Sequence, residues 1–294
     1  MDDARVTFES NDIQLRSPIL IAAFQGWNDA GESATFAARH LQEVWGAEKV
    51  ASVDPEEFFD FQSVRPQVEL VDGLTRSISW PSNELFGARL EGDNDALILI
   101  GTEPSLRWRA FSDLIVELVG ERDVSLVVTL GALLADVPHS RPVPITGTAV
   151  DPDLILKLDL QRSRYEGPTG IVGVLQDAFG KAGVQSASLW AAVPHYLAVS
   201  PNPKAALALV ESTARLIGAA ADIGELVAAT TDYEERIDEI VETDDDIKEY
   251  VRLLESRSDD DGADPEELDS SQLPSGDALA AELERFLRER DQGE

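Results

Sequence analysis

The densest group of side chains that could do chemistry lies in the loop Asp136–Pro144. This loop carries His139, Ser140 and Arg141 among three prolines that stiffen it. Arg141 can bind a carboxylate or phosphate, and His139 can move a proton near neutral pH. No nucleophile-elbow pattern surrounds Ser140, so a serine triad is not expected. A structural role, in which Arg141 ties the loop to a neighbouring acid, is an equally good interpretation.

A glycine-rich turn, Gly26–Gly31, directly follows an apolar run that ends at Phe24. Its glycines let the backbone approach a ligand, and the helix after it would offer free N–H groups to an anion. The alternative is a helix start with Asn28 or Asp29 as the N-cap. The spacing fits neither a dinucleotide fingerprint nor a P-loop.

Two further segments place polar residues after predicted strands or before a helix. Glu103, in Gly101–Pro104, could act as an acid or base, bind a ribose hydroxyl, or cap the next helix. The turn Tyr165–Gly170 supplies Thr169 as a cap for the helix that follows.

The last long apolar run ends at Val193-Pro194, which puts His195 and Tyr196 at the same rim as the other segments. In an open α/β sheet, ligands bind beyond the carboxyl ends of the strands. We therefore predict one ligand-binding pocket formed by these candidates: Gly26, Asn28, Asp29, Gly31, Glu103, His139, Arg141, Thr169, His195 and Tyr196.

No metal or other cofactor is predicted. The chain has three histidines and no cysteine, and no two histidines have the spacing of helical metal ligands. The absence of cysteine rules out disulfides, thiolate zinc sites and a cysteine nucleophile.

Continuous apolar runs alternate with helical periodicity, which predicts an α/β protein with a parallel or mixed sheet covered on both faces. Three shorter alternating segments, at 67–71, 76–80 and 84–90, predict an antiparallel insertion. The predicted buried strands are 18–24, 49–53, 95–101, 124–130 and 186–193, and the helices are 30–45, 108–119, 169–182 and 203–219.

The character of the chain changes after about residue 222. Residues 233–255 have apolar positions spaced for one helix or two short helices, and complete a domain at 1–255. Residues 256–274 predict an acidic flexible linker, and 275–294 an amphipathic helix with Leu279, Leu283, Phe286 and Leu287 on one face. Because such a short helix is marginal alone, it must dock on its own domain, a second subunit or another protein.

The formal net charge is −32, and residues 231–294 hold 24 acidic and 7 basic residues, a net −17. So acidic a surface repels phosphate backbones and anionic lipids, which excludes nucleic acid and membranes as expected partners. The first residues lack the basic-then-apolar pattern of a signal peptide, and no apolar run reaches about 18 residues. We therefore expect a cytoplasmic protein.

Read together, these segments resemble the bacterial branch of the proteasome-assembly-chaperone-2 family. The matching stretches, in order along 18–255, are Gly26–Gly31, Gly101–Pro104, Leu130–Pro142, Tyr165–Gly170, Val193–Tyr196 and Pro201–Lys204. The resemblance implies a three-layer α/β/α fold with a mixed sheet, similar to purine nucleoside phosphorylases. It also implies self-association into a homo-oligomer and kinship with factors that help to build 20S proteasomes.

Chaperone members of that family dock on the proteasome α-ring through a C-terminal hydrophobic–tyrosine–any-residue tail. This sequence ends Arg290-Asp-Gln-Gly-Glu294 without a tyrosine, so docking by that route is not expected. Two hypotheses follow. The first is a protein-binding assembly factor that presents its C-terminal helix to a partner. The alternative is a small-ligand binder or enzyme of the nucleoside phosphorylase or hydrolase type, with Arg141, Asn28 and Glu103 at its site.

Overall fold

In the computed structural model, the described residues are 5–9, 13–71, 75–149, 161–162, 165–197 and 199–260. Nine strands form one mixed sheet, in the spatial order β1-β3-β6-β7-β2-β8-β11-β9-β10. Two others, β4 and β5, form a separate hairpin. The strands are β1 Val6–Phe8, β2 Ile19–Gln25, β3 Glu48–Val53, β4 Gln67–Val71, β5 Thr75–Ser79, β6 Asn83–Ala88, β7 Ala96–Thr102, β8 Leu126–Ala135, β9 Ile145–Ala149, β10 Gln161–Arg162 and β11 Ser186–Pro194.

Helices cover both faces of this sheet, which confirms the predicted three-layer α/β/α class. The four central strands β7, β2, β8 and β11 run parallel, whereas β6 and β9 flank them antiparallel. The helices are α1 Ser33–Val44, α2 Trp108–Glu121, α3 Ile171–Ala182, α4 Pro203–Ile217, α5 Gly224–Glu242 and α6 Asp245–Asp260.

Strand β2 shows how the apolar pattern divides between two cores. Successive side chains of a strand point to opposite faces of the sheet. Ile19, Ile21 and Ala23 therefore pack under α1 and α4, whereas Leu20, Ala22 and Phe24 pack under α2 and α3. Every residue from Ile19 to Phe24 is buried, which explains why this strand reads as a continuous apolar run rather than an alternating one.

The predicted three-strand insertion is wrong in one strand. Strands β4 and β5 pair with each other, but β6 lies in the main sheet between β3 and β7. The physical reason is burial. Asn83, Leu85, Gly87 and Ala88 of β6 pack into the sheet, whereas every residue of β4 and β5 is exposed.

The region after residue 222 forms two helices, α5 and α6, which is the second of the two arrangements predicted. Tyr233, Ile237 and Val241 of α5 pack with Val251 of α6 and with Leu197. Helix α6 continues to Asp260, so residues 256–260, predicted as the start of a flexible linker, are helical. The rest of that linker and the helix predicted at 275–294 lie outside the described residues. No helix in the described part of the chain is long and apolar enough to cross a bilayer.

Candidate functional site

The turn after β2 is shaped by its contact with Glu103. Gly26 has a φ of +138°, and a Cβ there would lie 3.0 Å from the Glu103 Cβ. A larger residue would therefore be strained both by its backbone and by its neighbour. The main-chain N–H of Trp27 faces the Glu103 Oε2 atom at 3.4 Å, and the exposed indole of Trp27 points away from the core.

Asp29 is the buried acid that starts helix α1. Its Oδ1 accepts from the Ala34 N–H at 2.7 Å and the Thr35 N–H at 3.3 Å, and its Oδ2 accepts from the Thr35 hydroxyl at 2.5 Å. Burial raises the pKa of Asp29 above its usual value, although these hydrogen bonds act in the opposite direction. The turn does start a helix, but the N-cap residue of α1 is Glu32 rather than Asn28 or Asp29, because a turn of 3-10 helix, Ala30–Glu32, precedes α1 and Asp29 reaches its first N–H groups from before that turn.

Two main-chain contacts tie the same turn to neighbouring segments. The Ala132 N–H of β8 donates to the Asn28 carbonyl at 2.8 Å, and the Asn202 N–H donates to the Gly31 carbonyl at 2.8 Å. Gly31 has a φ of +59°, and a Cβ there would lie 3.1 Å from the Asn202 Cβ. Asn202 in turn caps α4 by accepting from the Ala205 N–H at 3.0 Å.

Glu103 holds together three segments that are distant in sequence. Its Oε1 accepts from the Asn28 side-chain amide at 2.9 Å and from the Ile171 main-chain N–H at 2.7 Å. Ile171 is the first residue of α3, so the carboxylate lies at a helix N-terminus, where negative charge is favoured. Gly170 makes this approach feasible, because a Cβ there would lie 2.1 Å from the Asn28 Nδ2 and 2.6 Å from the Glu103 Oε1.

These contacts correct two expectations. Thr169 does not cap α3: the N-cap residue is Gly170, which has no side chain, and Glu103 supplies the acceptor. Glu103 does act at a helix start, but at α3 rather than at α2, the next helix along the chain. A capping acid contributed by a strand end cannot be recognised from local sequence, because the signature of a cap is a residue adjacent to its helix.

His139 lies buried between a tyrosine and an aspartate. The Tyr196 hydroxyl accepts from the His139 main-chain N–H at 2.8 Å and lies 2.7 Å from its Nδ1, while Nε2 lies 3.0 Å from the Asp238 Oδ1. Since a carboxylate can only accept, Nε2 carries a proton and donates it, and the Tyr196 hydroxyl then donates to Nδ1. Burial raises the pKa of Tyr196 to about 12, so its hydroxyl stays protonated at neutral pH.

Lys204 joins the His139 loop to two helices. Its Nζ, from α4, donates to the His139 carbonyl and pairs with Glu234 of α5 at 2.6 Å. A small cavity beside it has room for about one water molecule. Its lining includes His139, Arg141, Asn202, Lys204 and the buried Tyr233, whose pKa burial raises to about 12.

His195 lies at the exposed rim of the same region. Its Nδ1 faces the Asp136 carboxylate at 3.1 Å, and its ring packs edge-on against Tyr196 and Tyr250. Three aromatic rings therefore cover the end of β11, with centroid separations of 5.5 to 5.9 Å. Such edge-to-face pairs stabilise packing by about 1 kcal/mol each.

Five of the predicted candidates fall into two groups. Asn28 and Glu103 are hydrogen-bonded in the Glu103 group, which also contains Ile171 and the closely approaching Gly26 and Gly170. His139 and Tyr196 lie in the His139 group with Lys204, Glu234 and Asp238. Asn202 adjoins both regions, since it contacts Gly31 and lines the cavity at His139. The cavity lining includes Arg141 and His139 but not Gly26, Asn28, Glu103 or His195.

Several of these partners were not singled out from the sequence. Asp238 and Glu234 lie on a helix that reads as ordinary amphipathic surface, and Ile171 acts through its backbone. Lys204 ends the family-resembling stretch Pro201–Lys204 but was not predicted as a site residue. The one local signal was Asn202-Pro203, an N-cap followed by proline at the first helical position. In the described part of the chain, no group of three or more His, Asp or Glu side chains is arranged to hold a metal ion.

Comparisons with known proteins agree with this architecture. The profile of the PAC2 family matches residues 23–241, about three quarters of the chain. The crystal structure of a PAC2 family protein from Streptomyces avermitilis is 46% identical and covers 80% of this chain and 99% of its own, with a TM-score of 0.74. No curated protein is significantly similar.

Two other solved structures extend the comparison. The proteasome-assembly chaperone homologue Rv2125 of Mycobacterium tuberculosis is 41% identical and covers 79% of this chain and 99% of its own, with a TM-score of 0.74. PbaB of Pyrococcus furiosus, an archaeal proteasome activator, shares the fold with 18% identity and a TM-score of 0.64. The match covers 80% of this chain and 97% of PbaB. Because the family profile matches about three quarters of the chain, and the Streptomyces and Mycobacterium proteins are more than 40% identical to it over most of its length, the chain belongs to the PAC2 family.

Proposed function

We propose that this chain is a protein-binding assembly factor that works as a homo-oligomer in the cytoplasm. The observation that carries the proposal is that Glu103 and His139, the best candidates for proton transfer, are already hydrogen-bonded within the fold. Glu103 already accepts from Ile171 and Asn28, and His139 is bonded to Tyr196 and Asp238. A general acid or base must reach a substrate proton, and both groups are occupied in holding the fold together.

Membership of the PAC2 family supports a protein as the binding partner. The Mycobacterium tuberculosis relative, 41% identical over nearly its whole length, is described as a proteasome-assembly chaperone homologue. Subunits of the 20S proteasome are therefore the first partner to test. The charge of the C-terminal region, a net −17 over residues 231–294, favours a partner with a basic surface.

We place the partner contact in the C-terminal segment, on the pattern of its sequence. Leu279, Leu283, Phe286 and Leu287 recur on one helical face within 275–294, after an acidic linker. An amphipathic helix binds a partner by laying this face into an apolar groove, and acidic flanks would then meet the basic rim of that groove.

The experiment compares the full chain with a form that ends at Asp260, which keeps α6 whole. Purified proteasome α-subunits should co-purify with the full chain and be lost from the truncated one. Leu283→Ser with Phe286→Ser should also lose them, whereas the control Ala281→Ser with Arg288→Ser, on the opposite helical face, should keep them. Equal capture by all four forms would refute this placement of the contact.

A second candidate function, the binding of a small ligand, is favoured by one observation. The side-chain oxygen of Asn28 is buried with no hydrogen-bond donor among the described residues. A ligand that donates to it would raise the melting temperature, and a tighter ligand would raise it more at the same concentration. Nucleosides and inorganic phosphate at millimolar concentration are the probes, and an unchanged melting temperature with all of them would refute this alternative.

A further inference from the structure

Two buried asparagines at the carboxyl ends of the central strands have side-chain atoms without hydrogen-bond partners. Asn83 opens β6 beside the end of β7, and neither its Nδ2 nor its Oδ1 has a partner among the described residues. The Oδ1 of Asn28 is in the same state, and both residues are only 1% exposed. Buried polar atoms without partners destabilise a fold, so three of them at one end of the sheet indicate that a bound molecule pairs them.

The two asparagines lie on either side of Glu103. The Asn83 Oδ1 lies over Gly101, where an added Cβ would be 2.0 Å from it. Glu103 comes two residues after Gly101, so its side chain points to the same face of the sheet. The Asn28 Nδ2 donates to the Glu103 Oε1 at 2.9 Å. All three polar side chains therefore lie together at the end of β7.

Three exposed turns converge on Glu103, and each carries one large apolar or aromatic side chain. The turn after β2 carries Trp27, 63% exposed, whose main-chain N–H faces the Glu103 Oε2 at 3.4 Å. The turn after β7 carries Leu106, 47% exposed, three residues beyond Glu103. The turn before α3 carries Tyr165, 54% exposed, whose hydroxyl donates to the Pro168 carbonyl at 2.9 Å. Ligand sites combine apolar walls of this kind with a few polar groups.

The hydrogen bonds already made define which atoms can take a ligand. A carboxylate only accepts, so the Asn28 Nδ2 must face Glu103, and the Asn28 Oδ1 is the acceptor without a donor. The Glu103 Oε2 has a long contact with the Trp27 N–H, and Asn83 offers both a donor and an acceptor. The site therefore requires N–H donors beside a carbonyl. It disfavours phosphate, because Glu103 already supplies the negative charge at the start of α3.

We propose that this site binds a planar aromatic molecule with an amide edge, either an aryl carboxamide or the ring amide of a nucleoside base. Each amide N–H donates to an oxygen of Asn28 or Glu103, the amide carbonyl accepts from the Asn83 Nδ2, and the ring stacks on Trp27. Glu103 is partly exposed, so the ligand enters past it as the exposed turn Gln25–Trp27 moves aside.

This site goes beyond the protein-binding function and rests on the small-ligand alternative, to which it adds a location and a ligand class. A matched pair of probes tests the class by thermal shift. Nicotinamide and nicotinate share one ring, but nicotinate has a carboxylate in place of the amide. Nicotinamide at millimolar concentration should raise the melting temperature of the full chain. Nicotinate should bind at least about tenfold more weakly, because it cannot donate and its charge faces that of Glu103. Equal shifts, or none with nicotinamide, would overturn the proposal.

Asn83→Leu tests the location. Leucine has a similar size and replaces the unpaired polar atoms with apolar ones, so the ligand-free variant should be at least as stable as the parent. Its response to nicotinamide should be lost, and a response equal to that of the parent would overturn the site.

Trp27→Ala is the second variant, at an exposed position whose change leaves the fold intact. It should keep the melting temperature of the parent and bind nicotinamide at least about threefold more weakly. The control Leu253→Ala, exposed on α6, should keep both. Unweakened binding in Trp27→Ala would also overturn the site. Asn83→Leu should still capture proteasome α-subunits, and failure of the parent chain to capture them would refute the protein-binding function alone.

Discussion

The carboxylate of Glu103 accepts a hydrogen bond from the main-chain N–H of Ile171 at 2.7 Å, although 68 residues separate them. The same oxygen accepts from the Asn28 amide at 2.9 Å. One side chain at the end of β7 therefore fixes the turn after β2 and the start of α3. Residues of the family-resembling segments Gly26–Gly31, Gly101–Pro104 and Tyr165–Gly170 meet here, and their contacts hold three elements in place.

Removal of this carboxylate should destabilise the fold. Glu103→Ala leaves the Ile171 N–H and the Asn28 amide without their acceptor, and hydrogen bonds to charged groups contribute about 1.5 to 3 kcal/mol each. We expect the free energy of unfolding, measured in urea, to fall by about 3 kcal/mol. The control Glu117→Ala, on the exposed face of α2, should change it by less than about 0.5 kcal/mol. Similar values for the two variants would contradict this role.

Two glycine-to-alanine substitutions should have opposite effects. In Gly170→Ala the new Cβ would lie 2.1 Å from the Asn28 Nδ2, so the Glu103 group must move, at a cost of about 1 to 3 kcal/mol. In Gly120→Ala the Cβ of this helical residue meets nothing within 4 Å, and alanine favours the helix by up to about 1 kcal/mol. Thermal unfolding measures both. A stabilised Gly170→Ala protein would show that the close approach does not exist.

The sequence predicted the layers well and the contacts within the site poorly. Strand β2 could be recognised because all of Ile19–Phe24 is buried, so its apolar run is unbroken. The Ile171–Glu103 contact could not, because it joins a backbone group to a side chain 68 residues away. The sequence predicts Thr169 as the cap because it lies next to α3 along the chain. The side chain that accepts from the start of α3 is instead that of Glu103, which follows strand β7. Tertiary contacts of this kind leave no local pattern.

Asp95 should make the stability depend on pH in the acid range. Its buried carboxylate accepts from the Arg16 main chain and side chain and from the Leu90 N–H. Burial alone raises the pKa of Asp95, but these hydrogen bonds outweigh it and lower the pKa to about 2, from 3.8. Between those values the unfolded chain binds more protons, so the stabilisation, about 2 kcal/mol, is present above pH 3.8 and lost as the pH falls toward 2.

Urea unfolding of Asp95→Asn tests this dependence. The variant should be less stable than the parent by about 2 kcal/mol at pH 7, and the difference should shrink as the pH falls below about 4. Asp93→Asn, at an exposed neighbouring position, should have nearly the same free energy of unfolding as the parent at pH 7 and below pH 4. A difference that stays constant down to pH 3 would mean that the pKa of Asp95 is not lowered.

The hydroxyl of Tyr196 should hold the His139 loop in place. Tyr196→Phe removes the acceptor of the His139 N–H and the partner of its Nδ1, and leaves the ring contacts of residue 196 with His139, His195 and Tyr250. We expect a loss of about 1 to 2 kcal/mol of stability and faster amide hydrogen exchange at His139. Tyr165→Phe, in an exposed turn, should leave exchange at His139 unchanged. An equally protected His139 amide in Tyr196→Phe would exclude this anchoring role.

The His139 loop shows a second limit of sequence analysis. The group His139-Ser140-Arg141 was identified because its residue types can do chemistry, and Arg141 and His139 do line one small cavity. The role of His139 depends on Tyr196, Lys204 and Asp238, which come from the end of β11 and from two helices. Tyr196 and Lys204 lie in family-resembling segments, but nothing in those segments indicates that they contact His139, and Asp238 reads as ordinary helix surface. The distinction between a proton carrier and an anchored loop therefore required the packed structure.

The central proposal for this chain is that it binds proteasome subunits as an assembly factor. Native mass spectrometry of the purified full chain with cognate α- and β-subunits tests this directly. We predict a complex of the chain with α-subunits that disappears as the 20S particle forms, and faster formation of that particle than in the absence of the chain. If no complex forms and the assembly rate is unchanged, the proposed function is wrong.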